Sequence, residues 1–219
     1  MIDPHDVRLL VEGGDDGHFA KHFLSNVLQY QLDVKANKII ACGDGGRLLN
    51  RFEAIQKETG FTTIGLIADA DSDPANRWRE IRSRAGTDEG GSFYLPDEPS
   101  PVGTIVAWSK GRRLGVWLMP KPGAAGNMES FLRELLSPRD PQPALWAHAL
   151  HAVSDLPKPR LFAEKDLGKA ELRTWLAWQK EPGASFGLAL SQSAFNLEHP
   201  LALQFRGWLA RLLEIPQTT

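Results

Sequence analysis

Three carboxylates at alternate positions, Asp69, Asp71 and Asp73, follow the apolar run Ile64-Gly-Leu-Ile-Ala68. Carboxylates one residue apart on a tightening loop can share one hard cation through oxygen ligands. The same residues also make an ordinary Asp-rich turn, because Asp caps helices and tolerates unusual dihedrals. Other acids arriving at the same place would separate the two readings. Glu12 follows a second apolar run, Val7-Arg-Leu-Leu-Val11, and Glu129 follows a third, Arg113-Leu-Gly-Val-Trp-Leu-Met119, after a short loop. Asp15 and Asp16 come next to Glu12, where the first turn of a helix favours acids on its own account. They are either cap residues or further ligands.

Other chemistry-bearing residues have plainer readings beside the functional ones. His18 and His22 stand four apart on one helical face, a spacing that suits a metal or a packed or solvated face. Gly43-Asp44-Gly45-Gly46 looks like a phosphate-cradling turn, but neither G-x-G-x-x-G nor G-x-x-x-x-G-K-[ST] is present. A strand-to-helix turn needing positive φ accounts for these glycines. Arg77, Arg79, Arg82 and Arg84 form the one conspicuous basic cluster. It is either a solvated face or, beside a carboxylate site, a track for phosphates, with Arg77, Arg79 and Lys121 as candidate contacts.

The elements that must position these residues are legible from apolar spacing. Short uninterrupted apolar runs read as strands of a parallel sheet covered on both faces. Loops at the carboxyl ends of such strands are where open α/β sheets bind ligands. The exits of parallel strands lie along one edge, so Glu12, Asp69 with Asp71, and Glu129 should converge there. Left alone they would repel, and a divalent cation is the simplest way to hold them. Helices are predicted after Asp15 and Asp16 (Phe19, Phe23 and Val27 inward), after Gly46, over Pro74–Arg84 with Trp78 and Ile81 inward, and after Asn127 as N-cap. Thr104–Trp108 and Arg113–Met119 flank a hairpin turn at Ser109–Arg112, and residues 86–103 read as a loop.

Beyond residue 140 prolines alternate with helical patterns. The last two run over Leu167–Trp178, burying Leu172, Trp175 and Leu176, and from Pro200, burying Leu203, Trp208, Leu209 and Leu212. The sequence thus predicts an α/β domain at 1–136, a mostly parallel sheet flanked by helices, and a helical appendage at 137–219 packed on the sheet. Lys165, Lys169 and Arg173 of the appendage are either solvated or reach the acidic edge.

Composition narrows the classes. At 219 residues and 42% hydrophobic content the chain can bury a sizeable core. A net charge of -2 leaves nucleic-acid binding to a local patch. The single cysteine, Cys42, excludes a disulfide framework and a cysteine zinc cluster, and fits a reducing cytoplasm. No apolar run approaches 18 residues and the amino end lacks a signal-peptide layout, so a cytoplasmic protein without a membrane span is expected.

Leu10-Val11-Glu12-Gly13 and Ala68-Asp69-Ala70-Asp71, in that order and each at a strand exit, resemble the Toprim domain. That domain is the metal-binding module shared by topoisomerases, bacterial primases and OLD-family nucleases. The chain is similar over most of its length to a family of small bacterial Toprim-like proteins related to the OLD-type nucleases, including Gly126-Asn-Met-Glu129 and Arg173-Thr-Trp-Leu-Ala-Trp-Gln179. The resemblance implies a Toprim-like fold with Glu12 as general acid/base or metal ligand, and Asp69 and Asp71 as ligands of Mg²⁺ (or Mn²⁺). Gly126-x-x-Glu129 resembles the additional glutamate motif of OLD-type nucleases, which makes Glu129 a second-metal candidate and Asp16 a further ligand. Departures restrict the analogy: no Walker A sequence is present, Tyr30 and Tyr94 lie in no recognisable setting, and one cysteine cannot build a zinc module. The implied function is a metal-dependent nucleic-acid phosphodiesterase using Glu12, Asp69 and Asp71. The alternatives are a non-catalytic Toprim module that binds nucleic acid or a partner such as a separate ATPase, and a small-molecule phosphohydrolase.

Overall fold

Five apolar segments form strands: Val7–Val11 (β1), Ile39–Ala41 (β2), Thr63–Asp69 (β3), Thr104–Ala107 (β4) and Arg113–Met119 (β5). They pair in the order β2-β1-β3-β5-β4. The first four in that order run parallel, and β4 joins β5 antiparallel at one edge. The computed structural model describes residues 1–32, 38–85, 94–107 and 111–216. Residues 109 and 110 of the predicted turn and residues 86–93 of the loop predicted over 86–103 lie outside the described residues.

Strand side chains alternate between two cores, as the pleat requires. Leu9, Val11, Ile67, Trp117 and Met119 enter one core, while Leu10, Ile64, Leu66, Leu114, Val116 and Leu118 enter the other. The second core is closed by Gly45–Ile55 (α2) and Pro74–Arg84 (α3). The first is closed by Gly14–Val27 (α1), Met128–Glu134 (α4), Gln142–Ser154 (α5), Leu167–Leu176 (α6), Phe186–Ser191 (α7) and Pro200–Leu212 (α8). Both faces are therefore covered, and the fold is α/β as predicted.

The helices after residue 137 share one core with the sheet. Phe205 of α8 lies 5.0 Å from Phe23, 5.2 Å from Trp117 and 5.4 Å from Phe131, ring centre to ring centre. Burying one such ring is worth roughly 1.5–3 kcal/mol. Close approach of α8 is possible because β5 carries Gly115 where a Cβ would stand 2.7 Å from Leu212. One inward position predicted on α8 is wrong: Leu203 is 40% exposed. At about 100° per residue it lies roughly 180° from Leu212, and the buried stripe instead uses Leu201, Ala202, Phe205, Trp208, Leu209 and Leu212. Helix α7 was not legible in the sequence; it is six residues long and packs on α1. Among the described residues no helix is long and apolar enough to cross a membrane.

The topology creates one crevice. β1 and β3 are parallel neighbours, yet the helix after β1 covers one face and the helix after β3 covers the other. The chain leaves the sheet in opposite directions there, which is the switch point at which open α/β sheets bind ligands. Glu12 and Asp69 are the residues at those two exits.

Candidate active site

Asp69, the last residue of β3, is the junction of the acidic edge. Its N–H donates to Glu12 Oε1 at 3.0 Å, tying β3 to the β1 exit. Its Oδ1 accepts the N–H of Met128 at 3.0 Å, tying the carboxylate to the first turn of α4. Burial pushes its carboxyl up to about 8, with Glu12, Asp16 and Glu129 adding repulsion and the Met128 N–H opposing. Glu12 is also raised, by burial first, against the Asp69 N–H and Arg77 that favour its charge. Asp16 is raised chiefly by burial, with Glu129 adding to it, although it accepts the Gly13 N–H at 2.7 Å in a capping box. Four carboxylates from three distant segments therefore feel one another across the crevice, as the strand pattern predicts.

Arg77 of α3 holds one flank of this edge. Its side chain is 12% exposed and donates from Nε to the Asp69 carbonyl at 2.9 Å. Its Nη2 is 2.6 Å from Asp71 Oδ2 and 3.8 Å from Glu12 Oε1, while Nη1 reaches Glu80 at 3.3 Å. Gly45 of α2 makes room for it, since a Cβ there would stand 2.5 Å from Nη2. Gly43, by contrast, has φ +104, the positive-φ turn predicted for this stretch. Asp71 also sits at positive φ, 52°, and pairs its backbone with Gly126 through hydrogen bonds of 2.8 and 2.7 Å. That bridge joins the β3 exit to the loop that delivers Glu129.

Helix α6 holds the other flank. Lys169 Nζ lies 3.4 Å from Glu129 Oε1, with the lysine half exposed and the glutamate mostly buried. Burial works against the Lys169 charge, but Glu129, Asp15 and Asp16 outweigh it and hold its pKa above the usual value. Arg173 pairs with Asp15 and lies 4.8 Å over the Phe186 ring. Two cations of the helical half thus reach the acidic edge.

The remaining predicted residues are not gathered in. Asp73 caps α3, accepting the Asn76 N–H at 2.9 Å. Arg79 is exposed and donates to Asn76, and Lys121 is exposed on the β5 exit loop. Arg82 and Arg84 pair with Asp97 and Glu53, so the basic cluster is dispersed. His18 is exposed, whereas His22 packs beneath Gly187 of α7 and is lowered by burial, then by Lys21 and His18. Among the described residues no group of three or more His, Cys, Asp or Glu side chains is arranged to hold a metal ion. Each acid has a donor of its own: Asp69 N–H for Glu12, Gly13 N–H for Asp16, Met128 N–H for Asp69, Arg77 for Asp71 and Lys169 for Glu129. Sequence reasoning missed the enclosed position of Arg77; Gly45 at the start of α2 was its only trace.

The chain belongs to the family described as protein of unknown function (DUF3226), whose model matches residues 6–214. No curated protein and no solved structure matches it.

Proposed function

We propose that this chain is a divalent-metal-dependent phosphodiesterase acting on nucleic acid, built on a Toprim-like sheet akin to that of the OLD-type nucleases. The observation that carries the reading is Asp69, a mostly buried carboxyl at the switch point, pushed up to about 8 by burial and by three other acids. Among the described residues no Lys or Arg side chain pairs with its carboxylate, although Arg77, Lys169 and Arg173 pair with its neighbours. The donors are all oxygens, the set that suits Mg²⁺ or Mn²⁺, and such an ion would relieve the repulsion. Asp69, Glu12 and Asp71 would hold one ion and Asp16 and Glu129 a second, supplying an activated water and neutralising charge on the phosphate.

The side chains themselves divide the remaining work. With the ion held by Asp69 and Asp71 alone, Glu12, raised by burial, would instead be suited to take a proton from the attacking water or give one to the leaving oxygen. Arg77 positions Asp71 and Glu12 from below. Lys169, which keeps its proton, offers positive charge beside Glu129 to an entering phosphate. The single half-buried cysteine, Cys42, its thiol pushed up to about 11 by burial, suits a cytoplasmic protein. The test is incubation of single- and double-stranded DNA and RNA with Mg²⁺ or Mn²⁺. Cleavage by the wild type and its loss in Asp69→Asn is the expected result.

A second reading is favoured by one specific observation. Arg77, Lys169 and Arg173 already partner Asp71, Glu129 and Asp15, and among the described residues no ready ligand set is assembled. This suits a non-catalytic Toprim module that binds nucleic acid or a separate ATPase partner. Absence of cleavage with both metals would put it first.

A further inference from the structure

Beside Glu129 the surface opens into two hollows that share a wall. The first, about 220 Å³, lies between α4 and α6 and is lined by Glu129, Ser130, Arg133, Lys165 and Leu167. The second, about 760 Å³, uses the other side of Leu167 together with Lys158, Arg160 and Phe162. Four cations, Arg133 and Lys165 in the first hollow and Lys158 and Arg160 in the second, thus stand beside three lining acids, Glu129, Glu171 and Glu164. Arg133 and Arg160 are held loosely, by Glu171 at 3.6 Å and Glu164 at 3.9 Å. Each pair is long and has one exposed partner, Arg133 in the first and Glu164 in the second, so it contributes little and can yield to a phosphate. Arg160 Nε is buried with no hydrogen-bond partner among the described residues, although the side chain is only 17% exposed. A phosphate in the hollow would meet the other N–H groups of the Arg160 side chain, which pair only at long range with Glu164 at 3.9 Å and the Ser154 carbonyl at 3.4 Å. Its guanidinium lies 5.8 Å from the centre of the half-buried Phe162 ring.

We propose that these hollows are the track of a single nucleic-acid strand leaving the acidic edge. Phosphates meet Lys165 and Arg133 in the first hollow and Lys158 and Arg160 in the second, and a base lies against Phe162. Cations spaced along a groove with an aromatic platform are what a single strand needs, because its bases are free to stack. A duplex hides those faces and has no use for Phe162. The inference rests on the phosphodiesterase reading and names its substrate as single-stranded.

The test is fluorescence anisotropy in EDTA with labelled single strands of about 15 nucleotides, DNA and RNA, and the same DNA as a duplex. Wild type binds a single strand at least about tenfold more tightly than the duplex. Phe162→Ala weakens single-strand binding by about 5- to 100-fold. The exposed pair Lys158→Glu with Lys165→Glu weakens it and flattens the log–log salt slope by roughly 0.7 per lost phosphate contact. Equal affinity for duplex, no single-strand binding, or an unmoved Phe162→Ala variant overturns the track. The Mg²⁺ response of the melting temperature, read on the same proteins free of EDTA, separates the two failures. A lost track with the response intact leaves the metal reading standing, and an absent response with binding intact sinks the metal reading alone.

Discussion

The two flanks of the acidic edge are neutralised in opposite ways. On the β1–β3 flank Arg77 is almost enclosed and serves four acceptors: the Asp69 carbonyl, Asp71, Glu80 and, at longer range, Glu12. On the α4–α6 flank Lys169 is half exposed and makes a single contact to Glu129 at 3.4 Å. An enclosed cation shared by several acceptors, two of them the mostly buried Glu12 and the Asp69 carbonyl, belongs to the framework, because freeing it strands those two. A lone, solvent-facing lysine can be exchanged for another cation at little cost. Under the proposed metal reading, the difference points to entry over Glu129, Asp16 and Asp69, with the Arg77 flank as the fixed wall.

The comparison breaks most visibly at the residue between the flanks. Asp69→Asn keeps the shape but removes the charge that a hard cation needs. Metal-dependent cleavage should fall more than about 100-fold, beyond the 10- to 100-fold typical of outer partners of a metal site. Steady-state rates with Mg²⁺ check this, and retention of a tenth of wild-type activity would remove Asp69 from the centre. Arg77→Met comes next, as a loss of stability. Removing one member of a buried ionic network costs about 3–5 kcal/mol, and the exposure of Asp71 reduces this to about 2–4 kcal/mol. For a chain this long the melting temperature should drop by about 5–15 °C at neutral pH, with a smaller drop in acid, where Glu12, raised above its ordinary value by burial, takes up its proton. Lys169→Met is the smallest effect, at most about 1 kcal/mol in stability. A loss as large as that of Arg77→Met would show that the two flanks are built alike.

Much of this edge was legible in the sequence, and the reason is local. Glu12, Asp69 and Glu129 follow apolar runs, and parallel strands must deliver their exits to one side. Asn127 as cap of α4 and Pro74 in the first turn of α3 were equally readable, since capping depends on near neighbours. Arg77 was not, because its enclosure depends on Gly45, a residue on another helix across the sheet edge. Asp71 looked equivalent to Asp69, but its side chain is 62% exposed and paired with Arg77, while Asp73 caps α3. Helix α7 escaped because six residues are too short for a periodic pattern to declare itself.

The central claim, that Asp69 gathers a divalent cation, is tested most directly by melting curves with and without metal across pH. The folded-state pKa of Asp69 is raised from an ordinary 3.8 to about 8. Its contribution to stability is thus fully present below about pH 4 and lost as pH climbs through about 8. A cation must displace the same proton, so stabilisation by Mg²⁺ should grow across that window and level off above it. At pH 8, Mg²⁺ at about a hundred times its dissociation constant should add about 2.7 kcal/mol. That is a rise of about 5–10 °C over sodium chloride of equal ionic strength. Asp69→Asn should melt above wild type without metal, having lost a repelling charge, and should respond little to Mg²⁺. Wild-type curves that coincide in Mg²⁺, Mn²⁺ and sodium chloride would contradict the account.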